Sequence, residues 1–138
     1  MPDQQLFEYS GCACVTWAVG NFTTASGSEQ TLIEHWNGTS WSVVASPNPG
    51  AGGLNGVAIV SATDSWAVGD FFNTTSSATQ TLIEQWNGTS WSVVASPSPS
   101  ATTNLLEAAA ADPSSGQAWA VGDFSTPTMI DTLTEFNP

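Results

Sequence analysis

Thr31-Leu-Ile-Glu-His-Trp-Asn-Gly-Thr-Ser-Trp-Ser-Val-Val-Ala-Ser-Pro-Asn-Pro49 returns fifty residues later as Thr81-Leu-Ile-Glu-Gln-Trp-Asn-Gly-Thr-Ser-Trp-Ser-Val-Val-Ala-Ser-Pro-Ser-Pro99. In each copy Asn-Gly separates two runs rich in β-branched and aromatic residues, the strongest short hairpin signal because both central residues are expected at positive φ. The spacing predicts paired strands over Gln80–Trp86 and Ser90–Ser96, with Trp86 and Trp91 on one face whether the turn has two residues or four. Upstream, Leu54-Asn-Gly-Val-Ala-Ile-Val60 reads as an innermost strand. Ser65-Trp-Ala-Val-Gly-Asp70 reads as the next, with Trp66 and Val68 on one face and Ala67 and Gly69 on the other. The small residues of that second face would let an adjacent sheet approach closely. Asn73–Thr79 has a loop composition, and Ser96-Pro-Ser-Pro-Ser100 reads as a crossing to the next unit.

A second phrase, Trp-Ala-Val-Gly, occurs at Trp17, Trp66 and Trp119. A period near fifty, filled with short strands, points to repeats that bury their apolar faces only against neighbours. The fold class expected is all-β: β-propeller blades of four antiparallel strands, about three per chain, the last incomplete and completed by oligomerisation. The whole chain, 1–138, reads as one repeat domain with blade 1 at about 5–47, blade 2 at about 53–97 and a partial blade 3 at about 104–138. The third copy has no counterpart of Trp91-Ser-Val-Val, which makes about eleven strands and leaves the edge of its third strand unpaired.

Composition narrows the partners. The chain has 12 acidic residues and no Lys or Arg, a formal charge of −12. Without basic side chains it cannot neutralise phosphates, which excludes nucleic acid and anionic membrane surfaces. No apolar stretch approaches the roughly 20 residues of a membrane-crossing helix, so no membrane insertion is expected. The hydrophobic fraction of 41%, with seven Trp, argues for a packed domain rather than disorder. Met1-Pro-Asp-Gln-Gln lacks the basic and apolar regions of a signal peptide, while the Ser/Thr/Gly-rich, low-charge composition is that expected of an extracellular or cell-surface protein. Cys12 and Cys14 read as small strand residues; a link across one residue would be strained, and two Cys without nearby His make no zinc site.

The repeat resembles kelch-type propeller repeats. The likeness lies in an apolar first strand, a second ending at Val68-Gly69-Asp70, a variable loop, and third and fourth strands bearing Trp86 and Trp91. The paired kelch glycines are Gly-Asp or Gly-Asn here, and the usual third-strand Tyr is Trp. The chain is also similar to a Trp-Ala-Val-Gly/Trp-Asn-Gly-Thr-Ser-Trp repeat of long bacterial surface or secreted proteins. The hairpin compares with the Asp-box of sialidase-like propellers, but Trp36 occupies the Asp position. These resemblances imply a propeller and assign no activity.

No enzyme is expected. His35, the only histidine, becomes Gln85 in the next copy, which reads as a solvated strand position. One His and one Tyr, Tyr9, cannot make an oxidase-type copper site or a Ser-His-Asp set. Asn21, Asp70 and Asp123 hold equivalent positions, as do Glu34, Glu84 and Glu135. Their ordinary reading is turn capping and solubility; the functional one is a hard cation such as calcium, with Asp70 and Asp123 the weak metal candidates, and no other cofactor is expected. Trp17, Trp66 and Trp119 are expected in the core between repeats, and the pairs Trp36/Trp41 and Trp86/Trp91 as packing or assembly surface. Asn21, Asn37, Asn73 and Asn87 head glycosylation sequons, two of them in hairpin turns.

Three incomplete blades cannot close a ring, so the partners expected are copies of the same chain, joined by strand complementation into a ring or filament; the third reading of the same pattern is a piece of a longer protein. The alternative is a lectin-like propeller that binds glycans through Trp faces and polar loops.

Overall fold

The computed structural model describes the backbone of residues 4–12 and 15–137, and side chains from 16 to 136. Every regular element within it is a strand: β1 (Gln4–Cys12), β2 (Val15–Thr23), β3 (Glu29–Trp36), β4 (Trp41–Val44), β5 (Ala51–Ser61), β6 (Asp64–Asn73), β7 (Ala78–Trp86), β8 (Trp91–Val94), β9 (Thr103–Asp112), β10 (Gln117–Ser125) and β11 (Ile130–Asn137). The chain is therefore all-β. Cys12 closes β1, while Cys14 lies outside the described residues.

The strands run as three antiparallel meanders, β1–β4, β5–β8 and β9–β11. A single parallel bridge, Thr79 to Thr103, joins the second and third into one mixed seven-stranded sheet. Asn104 fastens that joint: fully enclosed, it donates to the Thr79 and Ser100 carbonyls at 2.9 and 2.8 Å and accepts from Ser100 N–H at 2.7 Å.

The three registers match. Trp17, Trp66 and Trp119 stand opposite His35, Gln85 and Phe136; Ala18, Ala67 and Ala120 stand opposite Glu34, Glu84 and Glu135. Because side chains alternate along a strand, each Trp-Ala-Val-Gly phrase presents Trp and Val to one side and Ala and Gly to the other. Trp17, Val19 and Ile33 pack on Leu54, Val57, Ile59, Ala67 and Leu82 of the second meander. Trp66, Val68 and Ile83 pack in the same way on Leu106, Ala118 and Ala120 of the third. Burying two such faces is what holds the meanders together.

Three local expectations are corrected. Asn-Gly does not hold two residues at positive φ: in each turn only the glycine is left-handed, Gly38 (φ 96°) and Gly88 (φ 94°), and of the two lengths the spacing allowed the turn takes the longer, closed by Asn37 N–H to Ser40 O and Asn87 N–H to Ser90 O. The fourth strand is shorter than expected, ending at Val94, because the chain then turns to meet Thr81. The glycine of Trp-Ala-Val-Gly serves its own sheet and not only a neighbouring one. A Cβ on Gly69 or Gly122 would collide with the Gly53 or Leu105 carbonyl oxygen on the paired strand, where a bulge interrupts each register.

Candidate assembly surfaces

The two internal interfaces show how one repeat recognises the next. At the first, Trp17 is 2% exposed and enclosed by aromatic edges: ring centroids lie 4.7 Å from His35, 5.0 Å from Trp86 and 5.1 Å from Trp91, the last two edge to face. Edge-to-face geometry suits the ring quadrupoles and adds to the burial itself. His35, expected in solvent, is half-buried here because cross-strand pairing sets it beside Trp17 on the inward face.

The carboxylates depart furthest from the sequence reading. Glu84, expected to cap a turn or face water, is fully enclosed with neither oxygen hydrogen-bonded, and burial pushes its carboxyl up to about 8. Glu135 is also buried and is pushed up to about 7 by burial, with the Ser96 hydroxyl pulling it back. Glu34 is half-exposed. The cause is register: Glu84 and Glu135 sit beside Ala67 and Ala120, on the face that meets the preceding meander, and for Glu34 that side is the outside of the structure.

A threonine hook follows each hairpin. Thr31 Oγ1 is within hydrogen-bond distance of the Ser46 hydroxyl (2.7 Å) and donates to Pro47 O (2.9 Å). Thr81 repeats this with Ser96, Pro97 O (3.0 Å) and Ser98 (3.1 Å). These bonds hold the Pro-rich crossings against the sheet. Thr132, at the equivalent register opposite Asp123, is exposed.

The remaining site residues fall into place around these interfaces. Asn21, Asp70 and Asp123 occupy equivalent register positions, opposite Thr31, Thr81 and Thr132. Asp70 is raised by burial, an effect opposed by the Asn55 amide that donates to it at 3.3 Å and reinforced by Glu107 and Glu29. Among the described residues no three His, Cys, Asp or Glu side chains come together as a metal site. Asn37 accepts from Thr39 and Ser40 N–H, and Asn87 from Thr89 and Ser90 N–H, all at 2.9 Å, and both are exposed; Asn73 accepts from Thr75 N–H at 2.9 Å.

The outer faces of the first and third meanders leave Trp side chains exposed. Trp66 is buried, but Trp119, expected in the core, is 37% exposed and stacks on Phe136 at 5.4 Å with Val121 beside it, because among the described residues no sheet covers the outer face of the third meander. At the other end Trp36 and Trp41, 5.5 Å apart, sit on the outer face of the first meander, and Trp41 is 36% exposed. Their equivalents Trp86 and Trp91 are the pair that encloses Trp17, and Trp91 is buried. A cavity of about 270 Å³ opens between the second and third meanders, lined by Trp66, Val94, Pro97, Ala118, Glu135 and Phe136 among others. The cavity was invisible in the sequence, although the missing counterpart of Trp91 was its signal. No helix among the described residues is long and apolar enough to cross a membrane. No protein-family model matches the chain, and no curated protein matches it either.

Proposed function

We propose that this chain is a non-catalytic, self-assembling β-propeller module with a structural or surface role, its three meanders acting as two blades and an incomplete third. One observation carries the reading: the exposed Trp119 face and the exposed Trp36/Trp41 face are the two halves of the interface that the chain already makes internally between Trp17 and Trp86/Trp91. A second copy placed head to tail sets its Trp36/Trp41 pair around Trp119. Propellers close with about four to eight blades, so two copies form a ring of six, and a joining rotation that fails to close gives a filament. Among the described residues β11 is an edge strand of its sheet, and pairing there would add strand complementation to face stacking. The absence of Lys and Arg leaves trypsin nowhere to cut, which suits an extracellular setting.

Molar mass by light scattering across dilution tests the reading. The expected result is a species heavier than the 14.3 kDa monomer that dissociates on dilution. Trp119→Ser, at an exposed position, should weaken association by about tenfold or more while the melting temperature of the dilute protein holds. A chain that stays monomeric at millimolar concentration overturns it. Glycan binding is the second reading, favoured by exposed Trp41 beside the polar Asn37–Ser40 turn; binding of sugars on a glycan array by the dilute monomer would favour it instead.

A further inference from the structure

We infer that Asn37 and Asn87 are self-modification sites: in each hairpin turn the following glycine nitrogen attacks the side-chain amide and converts it to a carboxylate, while the fold preserves Asn55. These three are the asparagines followed by glycine, at Gly38, Gly88 and Gly56. Glycine brings no Cβ, so the attacking nitrogen is unshielded. Water is the only co-reactant. The glycine nitrogen gives its proton to hydroxide and bonds to the asparagine Cγ, which puts negative charge on Oδ1. The Cγ–Nδ2 bond then breaks, and Nδ2 takes a proton from water and leaves as ammonia. Water opens the resulting cyclic imide at either carbonyl, to aspartate or isoaspartate. Each event replaces a neutral amide by one negative charge in a chain that has no Lys or Arg.

Geometry separates the three. In the first turn Oδ1 of Asn37 accepts from Thr39 and Ser40 N–H, and in the second Oδ1 of Asn87 accepts from Thr89 and Ser90 N–H, all at 2.9 Å. The atom that must carry the negative charge therefore already faces two backbone donors, aligned before the reaction begins. Both turns are exposed, with the glycine left-handed and water at hand. Asn55 is arranged the other way round. It lies in β5, and there Nδ2, the leaving nitrogen, is the atom held, donating to Leu106 O at 2.9 Å and to Asp70 at 3.3 Å. Gly56 has no space to move: a Cβ there would stand 3.0 Å from Ala109 N and 3.1 Å from Ala108 Cα. The second turn also carries a brake. Thr63 Cγ2 stands 3.0 Å from the place of a Gly88 Cβ, and Trp86 Nε1 donates to Ala62 O at 3.3 Å, so the β5–β6 turn lies against the peptide that must rotate.

The test incubates the full chain, dilute and at mildly alkaline pH, beside the same chain in guanidinium chloride. Cleavage after Glu34 and Glu84 gives peptides that open at His35 and Gln85, and fragmentation in the mass spectrometer then reads each asparagine separately. In the fold Asn37 and Asn87 should convert at least as fast as in denaturant, and Asn55 at least about tenfold more slowly than in denaturant, because β5 must first open. Thr63→Ala should speed conversion of Asn87 severalfold and leave Asn37 unchanged, while Gly38→Ala should slow Asn37 alone. Intact Asn37 and Asn87, or conversion of Asn55 at the rate of the turns, overturns the assignment. Turns that convert more slowly folded than unfolded overturn it as well, because the two donors on Oδ1 are then a restraint.

Discussion

Gly69 and Gly122 close the second and third copies of Trp-Ala-Val-Gly, and in both the missing Cβ makes room for a carbonyl oxygen of the neighbouring strand. That oxygen belongs to backbone, so it cannot swing aside like a side-chain tip. Gly122→Ala should therefore destabilise the chain by about 1–3 kcal/mol through overpacking, read as a lower denaturant midpoint with unchanged slope. Gly116→Ala is the contrast, since only its left-handed φ of 77° is at stake and open space surrounds it.

Glu84 makes a second statement at the same scale. Its carboxyl is raised to about 8 in the fold from an ordinary value of 4.5, so between those limits the folded chain holds a proton that the unfolded chain has released. Its contribution to stability is complete below pH 4.5 and declines as pH rises to about 8, by about 1.4 kcal/mol per pH unit for one proton. Glu135, raised to about 7, adds in the same direction over a narrower window. The melting temperature should fall from pH 5 to pH 8, and Glu84→Gln should flatten most of that fall. A melt that rises across this range would mean that both groups are ionised in the fold.

At the scale of elements, the strands and their faces were legible because alternation and repetition state them twice. Trp66 and Val68 against Ala67 and Gly69 is a period-two pattern that admits one pair of faces, and the structure keeps it. Element ends were less legible. Ser90–Ser96 mirrors the run across the hairpin, yet the ladder stops at Val94, and beyond it the Thr81 hydroxyl meets Ser96, Pro97 O and Ser98 instead. The fates of Glu84 and Trp119 were not legible at all, since each depends on whether another sheet lies across the face, which no local pattern records. The hook itself is open to test. Thr81→Val keeps the shape and removes the hydroxyl, leaving Pro97 O without its donor, and should cost about 1–3 kcal/mol. Thr31→Val should do the same, and the two effects should add because the hooks sit in separate repeats. Thr132→Val, with no crossing to hold, should leave the melt unchanged.

At the scale of the whole molecule, charge and apolar faces oppose one another. Each copy has a formal charge of −12 and no Lys or Arg, so a head-to-tail contact between copies can contain almost no compensating ion pairs. In the proposed head-to-tail contact, burial of Trp119, Val121 and Phe136 against Trp36 and Trp41 would draw the copies together, and long-range repulsion between two polyanions would resist. Salt acts on the second effect alone at modest concentration. Raising sodium chloride from about 10 mM to about 150 mM shortens the screening length from about 30 Å to about 8 Å. Association should strengthen over that range, the reverse of an interface built on ion pairs. Sedimentation equilibrium at fixed protein concentration and pH 8, where Glu84 and Glu135 are at or above their raised values, reads this directly. Dissociation on adding salt would show that attraction between charges holds the copies together, and the only side chain able to supply it is His35, half-buried on Trp17. The apolar-face account of assembly would then fall, while the internal interfaces that inspired it would stand.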